Sequence, residues 1–252
     1  MISSSRKNQI SRTLMVMAGG TGGHVYPAIA VADYLQAKGW RIVWLTTEGG
    51  MENRLIKNKP YSKAMITMQG VRGKGLMGWL LLPFKLTLAF KQSVSAVLKY
   101  QPNVVLGMGG FAAFPGGIMA RMLRKPLVIH EQNSVAGLTN KTLSHFANKV
   151  LAAFPSAFGK KAELVGNPVR DDMTQLPSPE IRYAMRTGKL KLLVVGGSLG
   201  AVALNEVLPK ALATLSVENR PEVVHQAGEK HIATLEANYK KAGVVAETKA
   251  YI

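Results

Sequence analysis

Leu14-Met-Val-Met-Ala-Gly-Gly-Thr-Gly-Gly-His-Val-Tyr-Pro-Ala28 decides the fold. The apolar run from Leu14 to Ala18 has the length and composition of a buried parallel strand. It breaks into Gly19, Gly20, Gly22 and Gly23, and a helical pattern follows. Strand, glycine turn and helix together aim free backbone N–H groups at an anion. Glycine suits the turn because a Cβ would keep a phosphate or sugar away from the backbone. His24 stands at the mouth of the loop, and Pro27 is expected in the first helical turn, where its missing N–H is tolerated. A turn of this composition also serves simply to pack a strand against a helix, but here the arrangement recurs further along the chain.

Outward from that stretch, strands and helices alternate. Apolar residues at helical spacing run to Lys38 and stop at Gly39; strands are expected over residues 41–46, 64–68 and 102–106, with a helix over 51–57. A second glycine loop, Gly107 to Gly117, follows the third of these strands. Pro126-Leu-Val-Ile129 delivers His130-Glu-Gln-Asn133 at its carboxyl end, the end where open parallel sheets bind ligands. Gly166-Asn-Pro-Val-Arg170 leads into a Pro-, Ser- and charge-rich stretch that marks a boundary. Beyond it Leu190 to Val195 runs into Gly196-Gly-Ser-Leu-Gly-Ala201, repeating the opening pattern. The expected class is α/β, with two nucleotide-binding halves at 1–168 and 169–252. The second half is short for a doubly wound domain of roughly 100–150 residues, so the chain reads as part of a longer protein.

Composition narrows the function. The 252 residues contain no cysteine, which excludes disulfides, thiolate catalysis and cysteine-ligated zinc. No secretory signal is evident, and no run reaches the ~18 apolar residues of a membrane span. Net charge is +18, unevenly placed: residues 1–165 hold 21 Lys and Arg against 5 Asp and Glu, and the remainder hold 11 against 9. Such an excess calls for an anionic partner. No helix-turn-helix, RRM or zinc-finger signature favours nucleic acid. Residues 71–90 join Arg72, Lys74 and Lys85 to Trp79, Phe84 and several leucines, a mixture suited to an anionic bilayer, although an amphipathic helix facing the core explains most of the leucines.

Five motifs in this order, Gly19–His24, Gly107–Phe111, His130–Asn133, Gly166–Arg170 and Gly196–Ala201, resemble the MurG family of N-acetylglucosaminyltransferases from Leu14 onward. The resemblance implies a GT-B fold: two Rossmann-like domains facing across a cleft, here with the second incomplete. It implies transfer of N-acetylglucosamine from UDP-N-acetylglucosamine to the muramic acid 4-hydroxyl of lipid I, the undecaprenyl-diphosphate-linked acceptor. The product is lipid II, made at the cytoplasmic face of the inner membrane by a peripheral enzyme, with no metal and no cofactor. Donor contacts carried over by motif are Thr21, Gly22, Gly23, Asn133, Arg170, Ser198 and Ile252. Gly20, Gly109, Gly110 and Phe111 fall to the acceptor diphosphate.

The implied chemistry is a single inverting displacement. A base removes the acceptor proton, and His24 and Glu131 are the two candidates. Arg170 and the N–H groups of the Gly196–Gly200 loop are suited to the charge that builds on the departing diphosphate. The family's later donor-binding segment, a glycine-rich Ser/Thr-x-x-Glu and a Gln pair, has no counterpart before Ile252, so weak donor binding and little turnover are expected. Two rivals stand beside this reading. A nicotinamide-dependent oxidoreductase lacks Gly-x-Gly-x-x-Gly here and an acidic residue closing the second strand at Thr46 and Thr47, though Glu48 lies close. A non-catalytic, basic membrane-binding remnant would use the charge alone.

Overall fold

The computed structural model describes residues 12–68, 81–197 and 200–252. Two compact units result, Met1–Leu176 and Pro177–Ile252. In the first, β1 (Thr13–Ala18), β2 (Arg41–Thr47), β3 (Ser62–Ile66), β4 (Val104–Gly109), β5 (Leu127–Glu131), β6 (Lys149–Ala152) and β7 (Glu163–Leu164) form one parallel sheet in the order β3-β2-β1-β4-β5-β6-β7. The order reverses between β1 and β4, the switch point at which such sheets bind ligands. β1 is buried along its whole length. Met15 and Met17 enter one apolar cluster while Leu14, Val16 and Ala18 enter another, so alternate side chains feed the cores on the two faces.

The helices of this unit are α1 (Gly22–Ala37), α2 (Met51–Leu55), α3 (Leu82–Tyr100), α4 (Ala113–Met122), α5 (Leu138–Leu143) and α6 (Asp171–Thr174). Two expectations shift here. α1 begins inside the glycine loop, so Pro27 lies in the helix interior rather than its first turn. Thr21, extended at φ −142°, is its N-cap, and the Thr21 carbonyl accepts from the N–H groups of His24 and Val25, both at 3.2 Å. The second glycine stretch is likewise mostly not a loop. Gly107 and Gly109 belong to β4, while Gly116 and Gly117 lie in α4 because the helix rides close on the sheet. A Cβ on Gly116 would meet Met17 Sδ at 2.4 Å, and one on Gly117 would meet Leu143 at 2.9 Å. Only Gly110 to Ala112 connect strand to helix.

The second unit holds a three-stranded parallel sheet, β10-β9-β8, built from β8 (Lys191–Val195), β9 (Glu222–Gln226) and β10 (Glu247–Lys249). Its helices are α7 (Pro179–Ala184), α8 (Val202–Ala213) and α9 (Ile232–Ala242). Val194, Leu212, Val223, Leu235 and Tyr239 form its core, while Leu193 and Val195 on β8 stay exposed. The expected strand and helix are found as β8 and α8; of the glycine stretch between them, residues 198 and 199 lie outside the described residues. The expected boundary at 168/169 and the structural division at Leu176/Pro177 differ for a local reason. Asn167 Nδ2 donates to the Gln132 carbonyl at 3.2 Å, and the Arg170 guanidinium lies 5.9 Å from the centre of the Tyr26 ring on α1. Those contacts hold residues 167–170 to the first unit.

Candidate functional site

The carboxyl ends of β1, β4 and β5 carry most of the residues singled out in the sequence. Their arrangement starts at Ala18, whose carbonyl accepts from the buried Trp44 indole N–H at 3.0 Å and so anchors the end of β1. The first and second glycine segments then meet backbone to backbone. Gly19 N–H donates to the Gly109 carbonyl at 3.3 Å. A Cβ on Gly110, where φ is +91°, would lie 2.5 Å from Gly19 O and 2.8 Å from Gly19 C. Gly110 is therefore required by packing as well as by its left-handed backbone.

His24 is set by this contact. Its Nδ1 lies 3.0 Å from Gly19 O. A carbonyl only accepts, so Nδ1 carries a proton and donates, and this bond leaves Nε2 uncommitted. A Cβ on Gly109 would stand 3.0 Å from Nε2, so the ring lies against this glycine and needs its lack of a side chain. The ring is half-buried. At the same place the helix leaves the N–H groups of Gly22 and Gly23 without helical acceptors, the usual condition of a first turn. Thr21 is exposed and its hydroxyl makes no capping bond, so it remains available beside them. Gly20 is exposed at φ +84° with open space around it, and Phe111 presents an exposed ring from the connection after β4. One bend of chain thus brings together an imidazole, a hydroxyl and free amides, a set suited to an anion and to proton removal.

Glu131 differs from His24. It is 1% exposed, and its two oxygens accept four hydrogen bonds. Oε1 takes Asn133 N at 3.1 Å and Asn133 Nδ2 at 3.0 Å; Oε2 takes Gly137 N at 3.1 Å and Asn140 Nδ2 at 2.9 Å. A carboxylate so enclosed organises the loop from 133 to 140 and has no lone pair turned toward a ligand. Asn133 is exposed but spends its amide nitrogen on this carboxylate. Neighbouring His130 is 2% exposed, its Nε2 2.9 Å from Gly166 O and its Nδ1 3.2 Å from Gln132 Nε2. The Gly166 carbonyl fixes the proton on Nε2, and burial holds the imidazole below its ordinary pKa, hence neutral. This network ties β5 to the Gly166–Arg170 motif.

Arg170, expected among donor contacts, belongs to the first unit, exposed near Tyr26, with its Nε 3.4 Å from Asp172 Oδ1. Ser198 lies outside the described residues, as do Trp79 and the 71–80 stretch. Ile252 is exposed at the end of the second unit. There the glycine loop is as tightly packed as the first. A Cβ on Gly200, at φ +77°, would overlap the Ala227 carbonyl, and Gln226 Nε2 donates to the carbonyls of Gly197 at 3.0 Å and Ala250 at 2.9 Å.

Sequence reasoning missed Glu52. It is fully buried, with Oε1 accepting from Thr47 N at 2.8 Å and Thr47 Oγ1 at 2.7 Å. Cβ atoms on Gly19 and Gly50 would stand 2.8 and 2.1 Å from this carboxylate, so both glycines make room for it beneath the first loop. The available signal was an acid following Gly49-Gly50 in a half with 5 acidic residues.

Residues 14–152 match the glycosyltransferase family 28 N-terminal domain, and residues 191–252 match the family's C-terminal domain. The chain belongs to glycosyltransferase family 28. Among family 28 relatives, the UDP-N-acetylglucosamine–N-acetylmuramyl-(pentapeptide) pyrophosphoryl-undecaprenol N-acetylglucosamine transferase of Nitrosospira multiformis is 55% identical over 245 residues. That alignment spans 96% of this chain and 69% of the relative. The like-named protein of Ralstonia nicotianae is 55% identical over 93% of this chain and 64% of its own length. The chain therefore spans about two thirds of the length of the curated relatives it matches. The crystal structure of Acinetobacter baumannii MurG is 40% identical and superposes with a TM-score of 0.75, covering 96% of this chain and 68% of that one. The α/β GT-B class and the family expected from the five motifs are those found, and the nicotinamide-dependent reading falls with them.

Proposed function

We propose that this chain works as an inverting N-acetylglucosaminyltransferase. It would take the sugar from UDP-N-acetylglucosamine to the muramic acid 4-hydroxyl of undecaprenyl-diphosphate-linked N-acetylmuramyl-pentapeptide, forming lipid II. The observation that carries the reading is the pair of strand–glycine–helix units joined to an identity of 55% with relatives that bear that name. His24 is the general base: its Nδ1 is committed to Gly19 O, leaving Nε2 to accept the acceptor's proton. The muramic oxygen then attacks the anomeric carbon as the bond to UDP breaks on the opposite face, and UDP departs with the bonding pair. Glu131 acts through the loop it holds. Thr21 and the amides of Gly22 and Gly23 contact donor; Gly20, Gly109, Gly110 and Phe111 line the acceptor diphosphate; Arg170 and Ser198 meet the leaving nucleotide, and Ile252 its base.

The same reading puts the protein at the cytoplasmic face of the inner membrane, attached peripherally. Leu81, Phe84 and Leu88 form an exposed stripe at helical spacing at the start of α3, with Phe84 75% exposed, and Lys85 and Lys91 flank it. Apolar side chains framed by lysines support contact with an anionic bilayer. No helix among the described residues is long and apolar enough to cross a membrane. The test is transfer of labelled N-acetylglucosamine to lipid I in vesicles. Only slow labelling of the lipid fraction is expected, in keeping with the little turnover anticipated from the sequence, and none with His24→Ala. Failure of the unaltered chain to label lipid while binding UDP-N-acetylglucosamine refutes the assigned reaction.

A further inference from the structure

A cavity of about 460 Å³ lies in the first unit beside the site just described. One wall, Ser134 to Ala136, continues directly from Asn133 after β5; the other, Ser156 to Lys161, follows β6. The walls are joined by Ser156 Oγ donating to the Ser134 carbonyl at 2.7 Å. Lys141, Lys161 and His145 bring basic groups to the lining, which contains no acidic side chain. Among the described residues neither lysine forms an ion pair. Val135 and Phe158 add apolar surface to the lining. The volume is that of a pocket for a small ligand, and the charge selects an anionic one.

We propose that this cavity receives the peptide arm of the acceptor, with Lys141 and Lys161 holding its terminal carboxylate. The inference rests on the acceptor proposed above. Strand order supplies the geometry. The glycine segments cap β1 and β4, and the cavity stands at the ends of β5 and β6, one to three strand positions away. At ~4.8 Å per strand this is about 5–15 Å. A pentapeptide extends to about 17 Å, so an acceptor whose diphosphate meets the glycine segments and whose sugar lies over β5 projects its peptide toward β6. A linear peptide ends in a carboxylate, which two unpaired lysines satisfy.

Calorimetric titration of the full chain tests this. The ligands are soluble N-acetylmuramyl-pentapeptide as free acid, the same compound as its C-terminal amide, and muramyl diphosphate without peptide. The acid is expected to bind about tenfold more tightly than the amide. A Lys141→Gln/Lys161→Gln variant is expected to bind acid and amide alike while keeping its affinity for muramyl diphosphate. Equal binding of acid and amide by the unaltered chain, or a preference that survives in the variant, overturns the proposal. Displacement of the acid by inorganic phosphate also overturns it, marking a phosphate seat. If muramyl diphosphate and both peptides fail to bind, the acceptor reading itself fails; if only the acid–amide difference is missing, that reading stands and the cavity assignment falls.

Discussion

Gly110→Ala measures how tightly the two glycine segments hold each other. The added Cβ would lie 2.5, 2.8 and 2.9 Å from Gly19 O, C and N, all backbone atoms with no rotamer to give way. The residue would also have to keep φ +91°. Left-handed backbone costs about 1–2 kcal/mol, and overpacking adds about 1–3 kcal/mol, for a total of about 2–5 kcal/mol. Gly39→Ala separates the two contributions: its φ is +83°, but a Cβ there meets nothing within 4 Å, so only the first applies. Trp40 and Trp44 lie on the first unit and residues 177–252 contain no tryptophan, so urea unfolding followed by tryptophan fluorescence does not report the second unit. With a slope of about 2 kcal/mol/M, the midpoint falls about 1–2.5 M for Gly110→Ala and about 0.5–1 M for Gly39→Ala. Because Gly19 O also fixes His24, transfer in Gly110→Ala is expected to drop about 100-fold at temperatures where the protein stays folded. Equal midpoint shifts for the two variants would refute the close contact and the positioning of His24 that depends on it.

Further outcomes follow from the same geometry. Glu131→Gln turns an amide NH2 toward two of the four donors that now bond to the carboxylate, and about 2–4 kcal/mol of stability is expected to be lost, read by the same unfolding assay. His130 is held below its ordinary pKa of 6.5 by burial, so the unfolded chain binds more protons than the folded one in that window. Its contribution is fully present above pH 6.5 and is lost as pH falls through 6.5 toward the lower folded value. His130→Gln should flatten that part of the stability–pH curve, and an unchanged slope would assign it elsewhere. Phe84→Asp combined with Leu88→Asp is expected to weaken sedimentation with anionic vesicles about tenfold or more, while leaving the first unit's unfolding midpoint in place.

Local chemistry made much of this protein legible in its sequence. Apolar runs of five or six residues ending in glycine and followed by helical spacing specify parallel strands with ligand-binding ends, because only such strands are buried on both faces. The strands ending at Ala18 and Val195 were readable in this way, and the one expected over 126–129 from its apolar run proved two residues longer at its carboxyl end. The five ordered motifs carried the family. What only tertiary structure decided was how each polar group is spent, since hydrogen-bond partners come from residues distant in sequence. His24 and Glu131 both stood as candidate bases; packing commits only one nitrogen of the first and encloses the other among four donors. Glycines at 109, 110, 116 and 117 read as one loop, yet they belong in turn to a strand, a connection and a helix, because each permits a different close approach. Arg170 read as part of the second domain, but a ring on α1 holds it to the first. Sequence determines which residues alternate and where the chain must turn; burial and three-dimensional neighbours determine which of those residues remain free for chemistry.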